Sequence, residues 1–264
     1  MSLCRVCDNP LVIEVEADGD DFQSGPGSSS SSAAAGPEES VPDDLTLSCG
    51  CHFHWECLFE NASTIASNGA RCPVCSTPLA DAAPADMEAF IQAPPPMLSV
   101  YLNEGGLDPS LALGPLLAEE AFFSAQPLAR QAKAFHLMAA EGDIAGLLDM
   151  LRDMAEEMDP VQIRELLCYQ DPLNGRRSAL HVAVQNRQED VSWLLLWVAS
   201  ALGNEYFPEF SVSVAREMGL GRLEVSTREQ DIRYLRDSED KTSEDVAREA
   251  EFAALLQPGT LTPP

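Results

Sequence analysis

Apolar residues recur at helical spacing through the second half of this chain. Ile144, Leu147, Leu148 and Leu151 fall on one face, and Val191, Leu194, Leu195 and Val198 repeat the spacing. The pattern predicts an all-α unit over residues 127–257, interrupted near 203–236 by a poorly patterned stretch containing Pro208, and then a flexible tail at 258–264. Upstream the signal is thinner. Leu11–Val15 is β-branched and partly alternating, which suits a short strand. Residues 17–44 are Ser, Gly, Ala, Pro and acidic residues, a composition that cannot bury enough apolar surface to offset its ordering entropy, so a disordered insertion is expected. Residues 81–126 are expected to form a linker, Ala/Pro-rich up to Pro94–Pro96. Within it Leu113, Leu116, Leu117, Phe122 and Phe123 are spaced for a short helix docked on the domain that follows.

Composition narrows the function classes. At 264 residues the chain has room for roughly two domains. Its formal net charge is −27, and its longest basic cluster is Arg176–Arg177, so neither nucleic acid nor an anionic membrane is an expected partner. No apolar run reaches the ~20 residues a membrane span needs; Trp193–Ala201 is too short. The opening residues, Met1 to Cys4, carry no apolar secretory segment, so the cysteines are expected in a reducing compartment, cytoplasmic or nuclear.

In that setting paired cysteines read as metal ligands. Seven cysteines and one histidine form four close pairs: Cys4/Cys7, Cys49/Cys51, His54/Cys57 and Cys72/Cys75. Zinc prefers thiolate and imidazole in tetrahedral geometry, and four protein ligands close a structural site. Eight ligands therefore predict two structural zinc ions, no activated water and no catalytic side chain. Cys168 is left over in an apolar helical pattern and reads as a core thiol.

The order of these pairs resembles the RING finger over residues 1–80, and the flanking runs Leu47–Leu58 and Cys72–Leu79 agree with it. The resemblance implies a small zinc-stabilised cross-brace domain. Cys4, Cys7, His54 and Cys57 would hold one ion, and Cys49, Cys51, Cys72 and Cys75 the other. Cys51 stands where histidine is more usual, and His52 is its rival. A module of this size has no self-sufficient core, so metal binding is expected to supply most of its folding energy. The resemblance further implies recruitment of a ubiquitin-conjugating enzyme through a shallow groove formed by Val6, Leu58, Pro73 and Val74. Ubiquitin transfer is then promoted by orientation, without a covalent intermediate. Two neighbours depart from the pattern of active members: Asn61 where tryptophan is common, and Ser76 where arginine follows the last ligand, with Arg71 on the other side of that loop. A non-catalytic adaptor is the alternative. Lys133 and Lys241 are the only lysines against fourteen arginines, which fits either a compositional bias or a protein that avoids modifying itself.

Three segments of the helical half, beginning at Ala134, Ser178 and Thr242, resemble the opening of an ankyrin repeat. His136, His181 and Asp245 occupy the same point in each. Their spacings, 45 and 64 residues, exceed the ~33 of that family and require insertions. The resemblance implies a helical repeat domain that binds a protein substrate, with both histidines structural. Trp193 and Trp197 are expected at the edge of its core, beneath the second insertion or against a partner. The acidic surface favours a basic patch on that substrate through long-range steering. The architecture predicted is thus a cross-brace RING domain and an all-α ankyrin-like domain joined by disordered linkers.

Overall fold

Short polar residues start most helices of the C-terminal half. Asp143 caps α6 (Ile144–Glu157) by accepting the Gly146 N–H, and Asp159 with Gln162 forms a capping box on α7 (Pro160–Leu167). Ser178 and Thr242 open the helices Ala179–Gln185 and Ser243–Glu249, each paired with the residue three positions on, His181 or Asp245. In the computed structural model, which describes residues 2–15, 39–209, 212–213 and 221–262, the chain forms two compact units, Met1–Ala125 and Gln126–Pro264.

The C-terminal unit begins with α5 (Pro127–Glu141), which Gly142 ends at φ +79°, a left-handed turn that suits glycine. α8 (Ala179–Gln185) packs on both α5 and α10 (Ser243–Glu249), and α9 (Glu189–Ala199) packs on α8. Phe135, Leu147, Leu166, Leu167, Leu180 and Leu195 fill the core. Trp193 and Trp197 are buried in this core, edge-on to Phe207 of the 203–236 stretch, and Leu194 is the half-buried member of its face. Cys168 is half-buried against the same core, and burial pushes its thiol up to about 11. The segment at Ala134 does not open a helix as the other two do: His136 lies in the middle of α5. The 258–264 tail is also not free at its start, because Leu261 is buried in the core; residues 263–264 lie outside the described residues.

The N-terminal unit contains a β1–β2 hairpin (Val12–Val15 with Glu39–Pro42) and a four-stranded antiparallel sheet. Its order is β4 (His52–Phe53), β3 (Asp44–Thr46), β5 (Leu98–Asn103), β6 (Gly106–Ala112). Leu45 sits between Phe53 and Tyr101 in register. Two expectations are corrected here. Of the supposed insertion, residues 39–42 pair with β1 and residue 44 begins β3; residues 17–38 lie outside the described residues. The supposed linker at 81–126 is structured. It supplies α3 (Met87–Gln92), β5, β6 and α4 (Leu113–Ala125), and its Phe90, Met97, Leu113 and Leu117 join Phe53, Leu58 and Ile65 in one core. α4 packs on α2 (Ala62–Ser67) and α3, within its own unit. The candidate ligands therefore sit on a larger apolar core than residues 1–80 alone could build.

The reason for that misreading is physical. Along β5 the usual alternation is inverted: Leu98, Val100 and Leu102 are exposed while Ser99 is buried. The Asn103–Gly106 turn, Asn-Glu-Gly-Gly, was the usable hairpin signal.

Candidate metal centre

The ligands arrive on two matching loops and the segment between them. Residues 4–11 read Cys-Arg-Val-Cys-Asp-Asn-Pro-Leu and residues 72–79 read Cys-Pro-Val-Cys-Ser-Thr-Pro-Leu, a repeat visible in the sequence that the spacing of ligands alone does not reveal. Both fold identically. Leu3 bridges Pro10 and Arg71 bridges Pro78. Cys4 N–H donates to Asn9 O and Cys72 N–H to Thr77 O, each at 2.9 Å. Asp8 and Ser76, each directly after the second cysteine, turn the chain at φ +59°. The turn points both thiols of a loop to one side, leaves Val6 and Val74 exposed (43% and 47%), and tucks Leu11 and Leu79 into the core.

The structure groups the eight predicted ligands as two sets: Cys4, Cys7, His54 and Cys57, and Cys49, Cys51, Cys72 and Cys75. Within each set all ligand atoms lie within 4.8 Å of one another. Alternate pairs share a set, which is a cross-brace. Zinc bonds of about 2.3 Å to sulfur and about 2.0 Å to nitrogen separate the corners of a tetrahedron by about 3.5–3.8 Å. Cys7 and Cys57 Sγ lie 3.3 and 3.8 Å from His54 Nδ1, close to that requirement. His52 joins neither set; its Nδ1 is 2.7 Å from Asp44 Oδ1 and 3.1 Å from Thr46 Oγ1.

Second partners fix the ligands. His54 Nε2 lies 2.7 Å from Pro10 O. A carbonyl only accepts, so Nε2 carries the proton and Nδ1 presents its lone pair to the thiols. The His54 N–H donates to Cys4 Sγ. Cys75 Sγ is 3.2 Å from Thr77 Oγ1 and as a thiolate accepts that hydroxyl. Directly after His54, the Trp55 N–H donates to the buried Asp43 carboxylate, which also accepts the Tyr101 hydroxyl at 3.0 Å. Burial and Asp43 push that phenol up to about 12. Trp55 stacks on Phe59 and leans on Tyr101. Nothing in the local sequence marks Tyr101 as a support of the ligand loop, because it reaches Asp43 across 58 residues.

Within each set the thiols differ in how readily they ionise. Burial pushes the Cys4 thiol up, but the N–H groups of Cys7, His54 and Val6 outweigh it and hold it at about 6. In the same set, burial and the neighbouring Cys4 and Cys7 drive Cys57 up to about 12. The second set repeats the split: Thr77 holds Cys75 at about 6, while burial and its three companion thiols push Cys51 up to about 12. A thiol pushed up to about 12 keeps its proton at neutral pH, and a divalent ion among the sulfurs would favour its ionised form. Each set could hold one metal ion, and its donors suit zinc.

The expected partner groove is only partly on the surface. Val6 and Val74 are exposed and Pro73 is half-buried, but Leu58 is fully buried in the core, where its role is packing. In the helical unit both aligned histidines are buried. His181 Nδ1 is 2.7 Å from Ser178 Oγ, and its Nε2 is 3.1 Å from Lys241 O. Nε2–H therefore donates to that carbonyl and Nδ1 accepts the serine hydroxyl. Among the described residues no helix is long and apolar enough to cross a membrane. No protein-family model, curated protein or solved structure matches this chain.

Proposed function

We propose that this chain is a RING-type ubiquitin ligase held together by two structural zinc ions. The observation that carries the reading is the pair of interleaved Cys/His sets on twin loops that each present one exposed valine, Val6 or Val74. All four positions of each site are protein donors, so zinc would supply rigidity and would not activate water. The twin loops, with Pro73 between the last two ligands, form a shallow apolar surface for a ubiquitin-conjugating enzyme. The ankyrin-like helical unit, in which α8 packs on both α5 and α10, would select a protein substrate. Its attraction for a basic patch follows from the −27 net charge.

The test is discharge of ubiquitin from loaded conjugating enzymes to free lysine, using zinc-loaded protein and a broad enzyme panel. Self-modification is a poor readout with only Lys133 and Lys241 available. Discharge is expected, and Val6→Ala should lower it with zinc content unchanged. Absence of discharge across the panel removes the ligase reading.

A second reading, a zinc-binding adaptor that works beside another ligase, is favoured by one local observation. The Asn61 amide is turned back onto Cys57 O at 2.8 Å, and the Arg71 guanidinium is held on Ser76 O at 3.0 Å. Both side chains are engaged within the module itself.

A further inference from the structure

The four-stranded sheet has one face on the core and one face in solvent. Leu45, Tyr101 and Leu111 pack into the core that holds Phe53 and Phe90. An antiparallel sheet ordinarily turns polar side chains outward on its other face. Here that face carries Leu98, Val100 and Leu102 along β5, with Leu107 of β6 paired in register to Leu102. All four are exposed, Leu98 and Leu107 at 63% and 62%. Directly paired side chains stand side by side on one face, so the four form one apolar stripe. Such a stripe on a surface marks an interaction site.

The charge around the stripe has one sign. Asp44 of β3 is paired with Leu102, Glu104 lies in the turn after β5, and Asp108 follows Leu107 on β6. His52 hydrogen-bonds Asp44 at 2.7 Å and is the only basic side chain on the four strands. Arg5, whose N–H donates to His52 O, lies beyond β4 at the opposite edge of the sheet. From residue 72 to residue 129 the chain has seven carboxylates and no lysine, arginine or histidine. That stretch supplies β5, β6, α3 and α4, so the lack of cations is local to this surface.

The face, and not the edge, is what the sheet offers. β6 is an edge strand, and an open edge invites another strand to pair. Pro109 lacks the N–H that pairing needs, and a bulge sets Pro109 and Ser110 together opposite Val100. A second copy of this chain suits the face poorly, since a two-fold contact sets the same acidic rim against itself and each copy carries −27. A helix is the element that covers an apolar sheet face. From Leu98 to Leu102 β5 rises about 13 Å, the length of about two and a half helical turns.

We propose that this face docks an amphipathic helix of a partner protein. Its apolar side chains cover Leu98, Val100, Leu102 and Leu107, and lysines or arginines on its flanks meet Asp44, Glu104 and Asp108. The surface uses none of the residues assigned to the conjugating enzyme or to the helical unit, and it does not depend on ubiquitin transfer.

The test is fluorescence anisotropy on the full-length chain prepared with zinc. The probe is a fluorescein-labelled peptide with leucines at helical spacing and lysines between them. One counterpart has the same composition with its leucines scattered round the helix; the other has glutamate in place of lysine. The probe should bind, and both counterparts should bind about tenfold more weakly or worse. Leu98→Thr with Leu107→Thr should weaken binding about tenfold or more, because that much less apolar surface is covered. Glu104→Gln with Asp108→Asn should weaken it about threefold, an effect that added salt erases. Leu137→Thr, at an exposed position of α5, should leave it unchanged. Equal binding of the scattered peptide, or unchanged affinity in the threonine pair, overturns the site. Equal binding of the glutamate peptide overturns the basic partner. Dimers of the free chain in sedimentation that the threonine pair abolishes assign the face to a second copy and overturn the partner helix. Should the threonine pair fail to fold, Leu107→Thr alone decides, on the edge strand, where unchanged affinity is equally fatal.

Discussion

The two units hold their irregular segments in different ways. In the N-terminal unit the loops at 4–10 and 72–78 converge on two sets of soft ligands. In the C-terminal unit the 203–236 stretch and the chain end are tied by two arginines. Arg222 stacks on Trp197 and Phe207 and donates to Trp197 O, Ser200 O and Leu202 O at 3.1, 2.8 and 2.7 Å. Arg233 does the same for Gly259 and Thr260 from its buried pair with Asp231. With a metal ion in each set, both devices would gather loop groups around a positive centre. The guanidinium is covalently part of the chain and always charged, whereas a metal can be taken away. On the proposed reading one unit would therefore be conditional on its solution environment in a way the other is not.

Metal removal is the strongest way to break that comparison. Structural zinc contributes about 10–16 kcal/mol per site in small peptides, and here Cys4, Cys51 and Cys72 are also part of the apolar core. Chelation should abolish hydrogen-exchange protection at residues 3–10 and 71–79. Partial protection should survive around Phe90, Leu113 and Leu117, which are carried on α3 and α4 and not on the ligand loops, and the helical unit should be untouched. Zinc analysis should give two ions per chain. Equal loss of protection in α5, α8 and α9 would mean that the two units do not stand on separate supports.

Arg222→Ala should have the next largest effect, confined to the other unit. It leaves the carbonyls at the end of α9 without their donor and uncovers Trp197 and Phe207. Hydrogen bonds to charged groups are worth about 1.5–3 kcal/mol, so the loss should be about 2–4 kcal/mol in thermal unfolding of the helical unit, with zinc content unchanged. A loss below about 0.5 kcal/mol, the scale of an exposed surface change, would show that the stretch is held by its apolar contacts alone.

What the sequence reveals follows the same division. All eight candidate ligands are legible because cysteine and histidine are rare, chemically specific and paired at short range. Their supports are less so: Pro10 acts through its carbonyl, which any residue has, and Tyr101 and Asp43 meet only after β3 and β5 pair. Helix faces such as Leu147, Leu148 and Leu151 are legible from their period. The 81–126 segment is not, because its strand exposes Leu98 and Val100 and buries Ser99, against the pattern that identifies a strand. Arg222 and Arg233 were invisible for a related reason: an arginine that folds a loop inward looks, in sequence, like one that solvates it.

At neutral pH the smallest effect concerns the buried histidines, and its sign separates the units once more. Burial holds His136 down to about 4 and lowers His181 as well, the Lys241 carbonyl only partly opposing it. The unfolded chain protonates histidine near 6.5, so between about 6.5 and 4 the unfolded state binds more protons than the folded one. Stability of the helical unit is full above that window and falls as pH drops through it. Asp237 and Asp245 add a separate loss below the ordinary carboxylate range. Backbone N–H groups outweigh burial to hold Asp237 low, and Thr242 holds Asp245 low. Thermal unfolding followed by Trp193 and Trp197 in a Trp55→Phe background, where the N-terminal unit is silent, should show this decline. His136→Gln should reduce the slope between pH 6.5 and 4. A melting temperature flat across that window would mean that both histidines accept protons in the folded state as readily as in the unfolded one. In that case the helical unit would lack the rigid interior that its buried core of Phe135, Leu147, Leu166 and Leu180 implies.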